Sequence, residues 1–332
     1  MSSALVVQGQ DMKQKNADGV GDYDDTFIPV PASIGFRTIL ILATQLDMFT
    51  DHVAISQAFA QGEPLPGDGH NGNVYISAPP DYEEDPLNVY RLLKPLYGMP
   101  SATRAWHTTM SAFLKREGCE TVGFENSMWK VTIDGHRILL GAHIDDFVSA
   151  CTNRQVLDAF RKRSLDTFDG TYEGPLEHYH GCEIARDLVA GTTQLSQTHY
   201  AEEVLRTFGF WEHLPRVTPM KPSTRLSKDD HDPSPKPDFH RRYRGIVGSL
   251  DHLVTMTGPD LAWSYSEMNK YVQFPGKSHM EAGEHVLPYL RATWKEIIAY
   301  TRGSRRVNEL WGWVDADWAG NTDTRRSHTD YI

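Results

Sequence analysis

Two acids break an apolar run of strand-forming residues at Gly141-Ala142-His143-Ile144-Asp145-Asp146-Phe147-Val148. A two-residue hairpin turn ordinarily uses Asn-Gly or Asp-Gly, because its central residues need positive φ. Asp-Asp at such a tip is a poor backbone choice, and adjacent carboxylates repel each other. A hard divalent cation relieves that repulsion, and carboxylate oxygens suit Mg²⁺ or Mn²⁺. A pair of such ions can clamp the attacking and leaving oxygens of a phosphoryl transfer. A solvated turn would carry the same two residues with no metal at all.

Other patterns invite chemistry less strongly. Gly67-Asp68-Gly69-His70-Asn71-Gly72 satisfies GxGxxG. A dinucleotide fingerprint follows a strand and opens a helix, whereas this one sits in a Pro-rich loop ahead of a strand. His178, His180 and Cys182 alternate; on one strand they would share a face and suggest Zn²⁺, but no fourth ligand accompanies them. Trp106, Tyr97 and Phe147 could stack on bases. Core packing is the competing role, and the better one for Trp106 and Phe147.

The elements that must position these residues follow from periodicity. Phe36 to Met48 is apolar at helical spacing, and a second helix-like segment covers Gln57 to Ala60. Gln8 to Asp25 and the stretch from Pro64 to Gly72 are loops. Asn73 to Ser77 and Val89 to Leu93 are short strands. Ala102 to Glu117 is a helix entered through Pro100-Ser101. Met128 to Ile133 and Arg137 to Ile144 form a hairpin around Asp134-Gly135. Phe147 to Ala150 returns as a strand through the two acids. A helix over Val156 to Phe168 follows, then strands over Leu176 to Ile184 and Gly191 to Ser196, and a helix over Ala201 to Phe208. Arg216 to Asp238 is the best linker. Tyr243 to Val272 and Glu281 to Tyr300 are mainly helical, and Glu309 to Val314 is strand-like. Without a βαβ rhythm, these elements predict an α+β core of antiparallel hairpins.

Composition bounds the rest. The 332 residues suggest about two domains. With 39% hydrophobic and 23% charged residues the chain is globular in composition. No apolar run reaches the roughly 18 residues of a membrane span, and the N-terminus lacks the basic region of a signal peptide. Three scattered cysteines, Cys119, Cys151 and Cys182, point to a reducing compartment. An intracellular location, cytoplasm or nucleus, is expected. A net charge of −11 argues against a globally basic nucleic-acid binder. It leaves room for local basic clusters such as Arg154, Arg161, Lys162 and Arg163, or Arg241, Arg242 and Arg244, which also read as solvated helix faces.

Ile144-Asp145-Asp146 within its hydrophobic hairpin resembles the x-Asp-Asp box of reverse transcriptases, and the surroundings resemble the Ty1/copia class of retrotransposon polyproteins. Asp22-Tyr23-Asp24-Asp25-Thr26-Phe27-Ile28-Pro29-Val30 is similar to "DYxxTFAPV". Gln57-Ala58-Phe59-Ala60-Gln61-Gly62-Glu63 is similar to "TAFLNGE", and Val74 to Ser77 with Pro79-Pro80 to "VYMxxPPG". Tyr90 to Gly98 with Arg104-Ala105-Trp106 is similar to "YxLxKALYGLKQAPRAW". Leu195-Ser196-Gln197, Thr218-Pro219-Met220 and Gly248-Ser249-Leu250 follow in order. Val314 to Gly320 resembles the first strand of an attached RNase H domain.

The resemblance implies a right-hand polymerase: palm and fingers with an antiparallel sheet and packed helices, a helical connection, and a truncated RNase H-like C-terminus. The implied division is 1–30 as a partial fingers or N-terminal arm, 31–215 as palm and fingers, 216–308 as linker and helical thumb or connection, and 309–332 as the first strand of the RNase H-like part. It implies RNA-directed DNA synthesis with two Mg²⁺ (or Mn²⁺) ions, and an RNA template, a DNA primer and dNTPs as partners. Asp145 and Asp146 take the roles of catalytic, metal-binding acids. Tyr97, Ser101 and Arg104 fall in the nucleotide and primer–template region, and Asp315 matches the first acid of RNase H. The family's remaining polymerase acid precedes "VKTAFL", and the matching residue here is Ala54. Asp51 lies three residues upstream, about 10 Å away on an extended strand and on its other face. Ser2 and Ala4 stand where the family carries basic residues, Ser101 where it carries Gln, Gly258 where "TRPD" carries Arg, and Pro288 interrupts a helix. The expectation is a degenerate copy with little polymerase activity. The alternative is a non-enzymatic nucleic-acid-binding remnant or a pseudogene product. In the truncated RNase H part, Leu310, Trp311 and Trp313 are expected to lack sheet partners.

Overall fold

The computed structural model describes residues 6–7, 12, 33–64, 74–77, 89–123, 125–222, 224–303, 312–321, 323–327 and 329–331. The loop over Gln8 to Asp25, the Asp22 to Val30 block, the Gly67 to Gly72 motif, Pro79-Pro80, Leu310 and Trp311 lie outside the described residues, Met12 excepted. The chain divides by packing into two units, 1–176 and 177–332.

The first unit contains α1 (Ser33–Gln45), β1 (Phe49–Ile55), α2 (Ala58–Gln61), β2 (Tyr75–Ser77), β3 (Val89–Arg91), α3 (Ala102–Arg116), β4 (Glu120–Val122), β5 (Glu125–Ile133), β6 (His136–His143), β7 (Asp146–Cys151), α4 (Arg154–Thr167) and β8 (Gly170–Gly174). Six strands form one sheet in the order β4-β5-β6-β7-β1-β8. Every pairing in it is antiparallel. The β5–β6 turn at Asp134-Gly135 has φ of 50° and 78°, the positive pair its sequence calls for. One face of the sheet, through Val53, Ile55, Phe147, Ile138 and Leu140, packs with Trp106, Met110 and Phe113 of α3 and Val156, Leu157 and Phe160 of α4. Those helix residues recur at three- and four-residue intervals, so each helix lays one apolar stripe on the pleat. Helix α4 starts where it does because the Asn153 side chain accepts from the N–H groups of Gln155 and Val156. Helix α1 contacts the other face of the sheet at β6 and β7.

The second unit contains β9 (His178–Tyr179), β10 (Cys182–Asp187), β11 (Thr192–Ser196), α5 (Thr198–Thr207), α6 (Pro237–Met256), α7 (Ala262–Asn269), α8 (Lys277–Thr293), β12 (Ile297–Thr301), β13 (Val314–Ala316) and β14 (Thr329–Tyr331). Its four-stranded antiparallel sheet runs β12-β11-β10-β9. Helices α5, α6 and α8 share a core of Leu205, Tyr243, Ile246, Leu250, Val286 and Leu287. Residues 177–215 pack in this unit, where β11 pairs with β12.

Two expectations are corrected here. The strand over Leu176 to Ile184 is a hairpin, with His180 and Gly181 at φ of 53° and 73° in its turn. His178, His180 and Cys182 therefore do not share a strand face, and His180 is a turn residue. The helix over Glu281 to Tyr300 ends at Thr293, and the β-branched Ile297-Ile298 starts β12. Val314–Ala316 pairs with the ribbon strand Thr329–Tyr331, and Trp313, expected to lack a sheet partner, lies outside that pairing and is exposed.

Two features of the second unit bear on its stability. Pro288 lies inside α8, and the helix continues past it. Proline there removes one helical N–H donor and crowds the preceding turn. Pro288→Ala is expected to raise stability by about 1–3 kcal/mol, read from urea unfolding. His279 is fully buried; its Nδ1 accepts from Gly276 N–H, and Nε2 faces the Ser227 carbonyl at 3.1 Å. The imidazole is thus held neutral, and burial pushes its pKa below the ordinary 6.5. Burial does the same to His252 and His285. A depressed histidine pKa contributes stability that is present above about 6.5 and is lost as pH falls toward the folded-state value, because the unfolded chain binds the proton more readily. Melting temperature is expected to drop between pH 7.5 and pH 5, and less steeply in His279→Asn.

Candidate functional site

The residues of interest meet where β6, β7 and β1 run side by side. β6 ends at His143 and β7 begins at Asp146, and these two residues pair across the strands. The turn itself is Ile144-Asp145. The acids are therefore not both at the tip, as the sequence suggested; Asp146 is already a strand residue. Ile144 has φ +53°. A β-branched residue in that region is strained by about 1–3 kcal/mol, where a hairpin of this sign pattern ordinarily places glycine. Two hydrogen bonds hold the turn in place. Trp106 Nε1 donates to the Ile144 carbonyl, and Ile55 N–H donates to the Asp145 carbonyl at 2.7 Å.

Strand β1 pairs with β7 in the register Val53↔Phe147 and Ala54↔Asp146. Directly opposed residues point to the same face. Ala54 and Asp146 thus stand side by side, with Cβ atoms about 4.5–5.5 Å apart. His52 shares their face, two residues earlier on β1, and its Nε2 lies 3.0 Å from Asp146 Oδ1. Burial pushes the Asp145 carboxyl above its ordinary pKa, a backbone hydrogen bond opposes it, and the neighbouring Asp146 charge adds a smaller upward push. Tyr97 is half-buried, its ring 4.5 Å from that of Phe59. Burial and then the Asp145 charge raise its phenol pKa. Asp145, Asp146, Ala54 and Tyr97 are therefore brought together. Ser101 precedes α3 without capping it through its side chain, and Arg104 is exposed in the first turn of that helix. Trp106 and Phe147 are buried in the core. Asp315 belongs to the second unit, exposed on the β13–β14 ribbon, with Oδ1 accepting from Ala316 N–H at 2.9 Å.

Asp51 sits on the opposite face of β1 and is fully buried. Arg154 Nη1 and Arg161 Nη1 donate to its two oxygens at 2.8 and 2.5 Å, and the Tyr172 hydroxyl donates at 3.0 Å. Its lone pairs are committed to that network, so it supplies nothing to the face of Asp146. Breaking a buried ion pair from one side costs about 3–5 kcal/mol. Asp51→Ala is expected to destabilise the protein by that amount in denaturant unfolding, while Asp145→Asn does not.

The donor set does not fit a pair of divalent cations. A methyl group occupies the position across from Asp146, and His52 engages one Asp146 oxygen. Among the described residues no group of three or more His, Cys, Asp and Glu side chains is arranged to hold a metal ion. His52 escaped the sequence reasoning. Its signal was available, because it has the same strand parity as Ala54.

A family described as reverse transcriptase (RNA-dependent DNA polymerase) matches residues 2–222. The chain belongs to that family. It is 29% identical to the retrovirus-related Pol polyprotein from transposon TNT 1-94 of Nicotiana tabacum, over 99% of this chain and 24% of the relative. The corresponding Pol polyproteins from transposons RE2 and RE1 of Arabidopsis thaliana are 31% and 30% identical, each over 94% of this chain and 20% of the relative. The chain thus spans about a fifth to a quarter of these relatives and corresponds to the reverse transcriptase region of copia-type Pol polyproteins. No helix among the described residues is long and apolar enough to cross a membrane.

Proposed function

We propose that this chain is the palm and fingers of a copia-type reverse transcriptase, followed by a helical thumb or connection and the opening of an RNase H-like part, and that its polymerase centre is crippled. The observation that carries the reading is the pairing of Ala54 with Asp146. That register puts position 54 where a third carboxylate would face the Asp145-Asp146 turn. The ancestral reaction is RNA-templated DNA synthesis from dNTPs. Asp145 and Asp146 are its retained acids, and Asp315 is the RNase H remnant. An RNA–DNA primer–template would be held through its phosphates, because a polymerase must be indifferent to sequence. Arg104, exposed on α3, offers a charge for that contact. Tyr97 beside Asp145 and Ser101 ahead of α3 are the nucleotide-facing candidates.

Primer extension on an RNA template with Mg²⁺ or Mn²⁺ tests the reading. The expected result is no extension above background. Robust extension that vanishes in Asp145→Asn would overturn it. Fluorescence anisotropy with a labelled RNA–DNA duplex should detect binding whose affinity falls steeply with salt, at roughly 0.7–0.9 log units per log unit of salt for each phosphate engaged.

A further inference from the structure

Asp146 has lost more than a neighbouring carboxylate. His52 Nε2 lies 3.0 Å from Asp146 Oδ1, and the two side chains are only 15% and 34% exposed. The imidazole reaches that oxygen because His52 and Ala54 share one strand face, so the small Ala54 side chain leaves the diagonal path open. On its other side, His52 pairs with Gly174 of β8, which has no side chain to compete for space. The β1–β8 register shifts immediately afterwards, between His52 and Val53. An irregularity of this kind re-aims side chains locally.

We infer that His52 closes this centre to divalent cations independently of the missing acid, so that restoring a carboxylate at position 54 does not by itself restore cation binding. This rests on the proposed reading of Asp145 and Asp146 as metal-site remnants. A cation that takes Asp146 Oδ1, or both Asp146 oxygens, must compete with the imidazole for Oδ1. An imidazole left in the ring of donors is also a poor exchange for a carboxylate where Mg²⁺ is concerned, since that ion selects oxygen. His52 is in this sense a blocking residue that acts through Asp146.

Mn²⁺ binding to the full chain, measured by electron paramagnetic resonance without nucleic acid, tests the inference. Ala54→Asp is compared with the double variant His52→Ala/Ala54→Asp. The double variant is expected to bind Mn²⁺ at least about tenfold more tightly, the scale on which residues next to ligands tune metal affinity. Equal affinities would overturn the role of His52 and leave the carboxylate assignment standing. Tighter binding by Ala54→Asp alone would also overturn it, by making His52 a ligand. No binding by either folded variant would sink both the inference and the assignment beneath it. Should Ala54→Asp fail to fold by circular dichroism, His52→Ala alone decides. It is expected to bind Mn²⁺ severalfold more tightly than the unaltered chain, and an unchanged affinity overturns the inference.

Discussion

The antiparallel register of β1 on β7 is the constraint on which the site depends. Side chains alternate along a strand, so a slip of one residue would exchange the two faces of β1 entirely. The slip is prevented by packing: Val53, Ile55 and Phe147 are buried together under α3 and α4. The hydrogen bond from Ile55 to the Asp145 carbonyl fastens the same register at the turn. Hydrophobic burial therefore decides which residue faces Asp146. Even positions of β1 face it and odd positions face the helices. This is why Asp51, though close in sequence, ends in a buried network with Arg154 and Arg161.

The turn is held against local cost. Ile144 occupies a backbone region that β-branched residues avoid, and Asp145 is pushed toward its neutral form by burial and by Asp146. Within the hairpin, a backbone hydrogen bond to the Asp145 carboxylate opposes only part of this. The support comes from α3, through the Trp106 indole on the Ile144 carbonyl, and from β1. The turn is thus strained and crowded, and is braced from two separate elements.

Much of this was legible in the sequence. Helices α3 and α4 announced themselves by apolar spacing, and the β5–β6 hairpin by Asp134-Gly135. The two acids stood out because they violate turn chemistry. The exact tip did not, because a positive φ at isoleucine runs against every local preference, and only the β6–β7 pairing fixes it. The hairpin at His180-Gly181 was hidden for a similar reason: histidine is not a strong turn residue, and the flanking alternation resembles one strand. The β12 strand was hidden behind the helical pattern of α8. The His52–Asp146 contact spans 94 residues, and no local pattern encodes a partner at that distance. The absence of an acid at position 54 was readable only through the resemblance; its meaning came from the register.

The fold and the chemistry of this centre are separable in energy. With no cation present, an acid at position 54 would stand directly across from Asp146 and near Asp145, and like charges opposed across strands destabilise a sheet. Alanine removes that repulsion without disturbing the buried face, since its side chain points away from Val53, Ile55 and Phe147. The His52 contact then places a hydrogen-bonding ring beside the remaining strand carboxylate. Both residues suit a cation-free centre. The sheet, its register and its braced turn therefore do not depend on the residue at position 54, because none of the described interactions that hold β1 between β7 and β8 passes through that side chain.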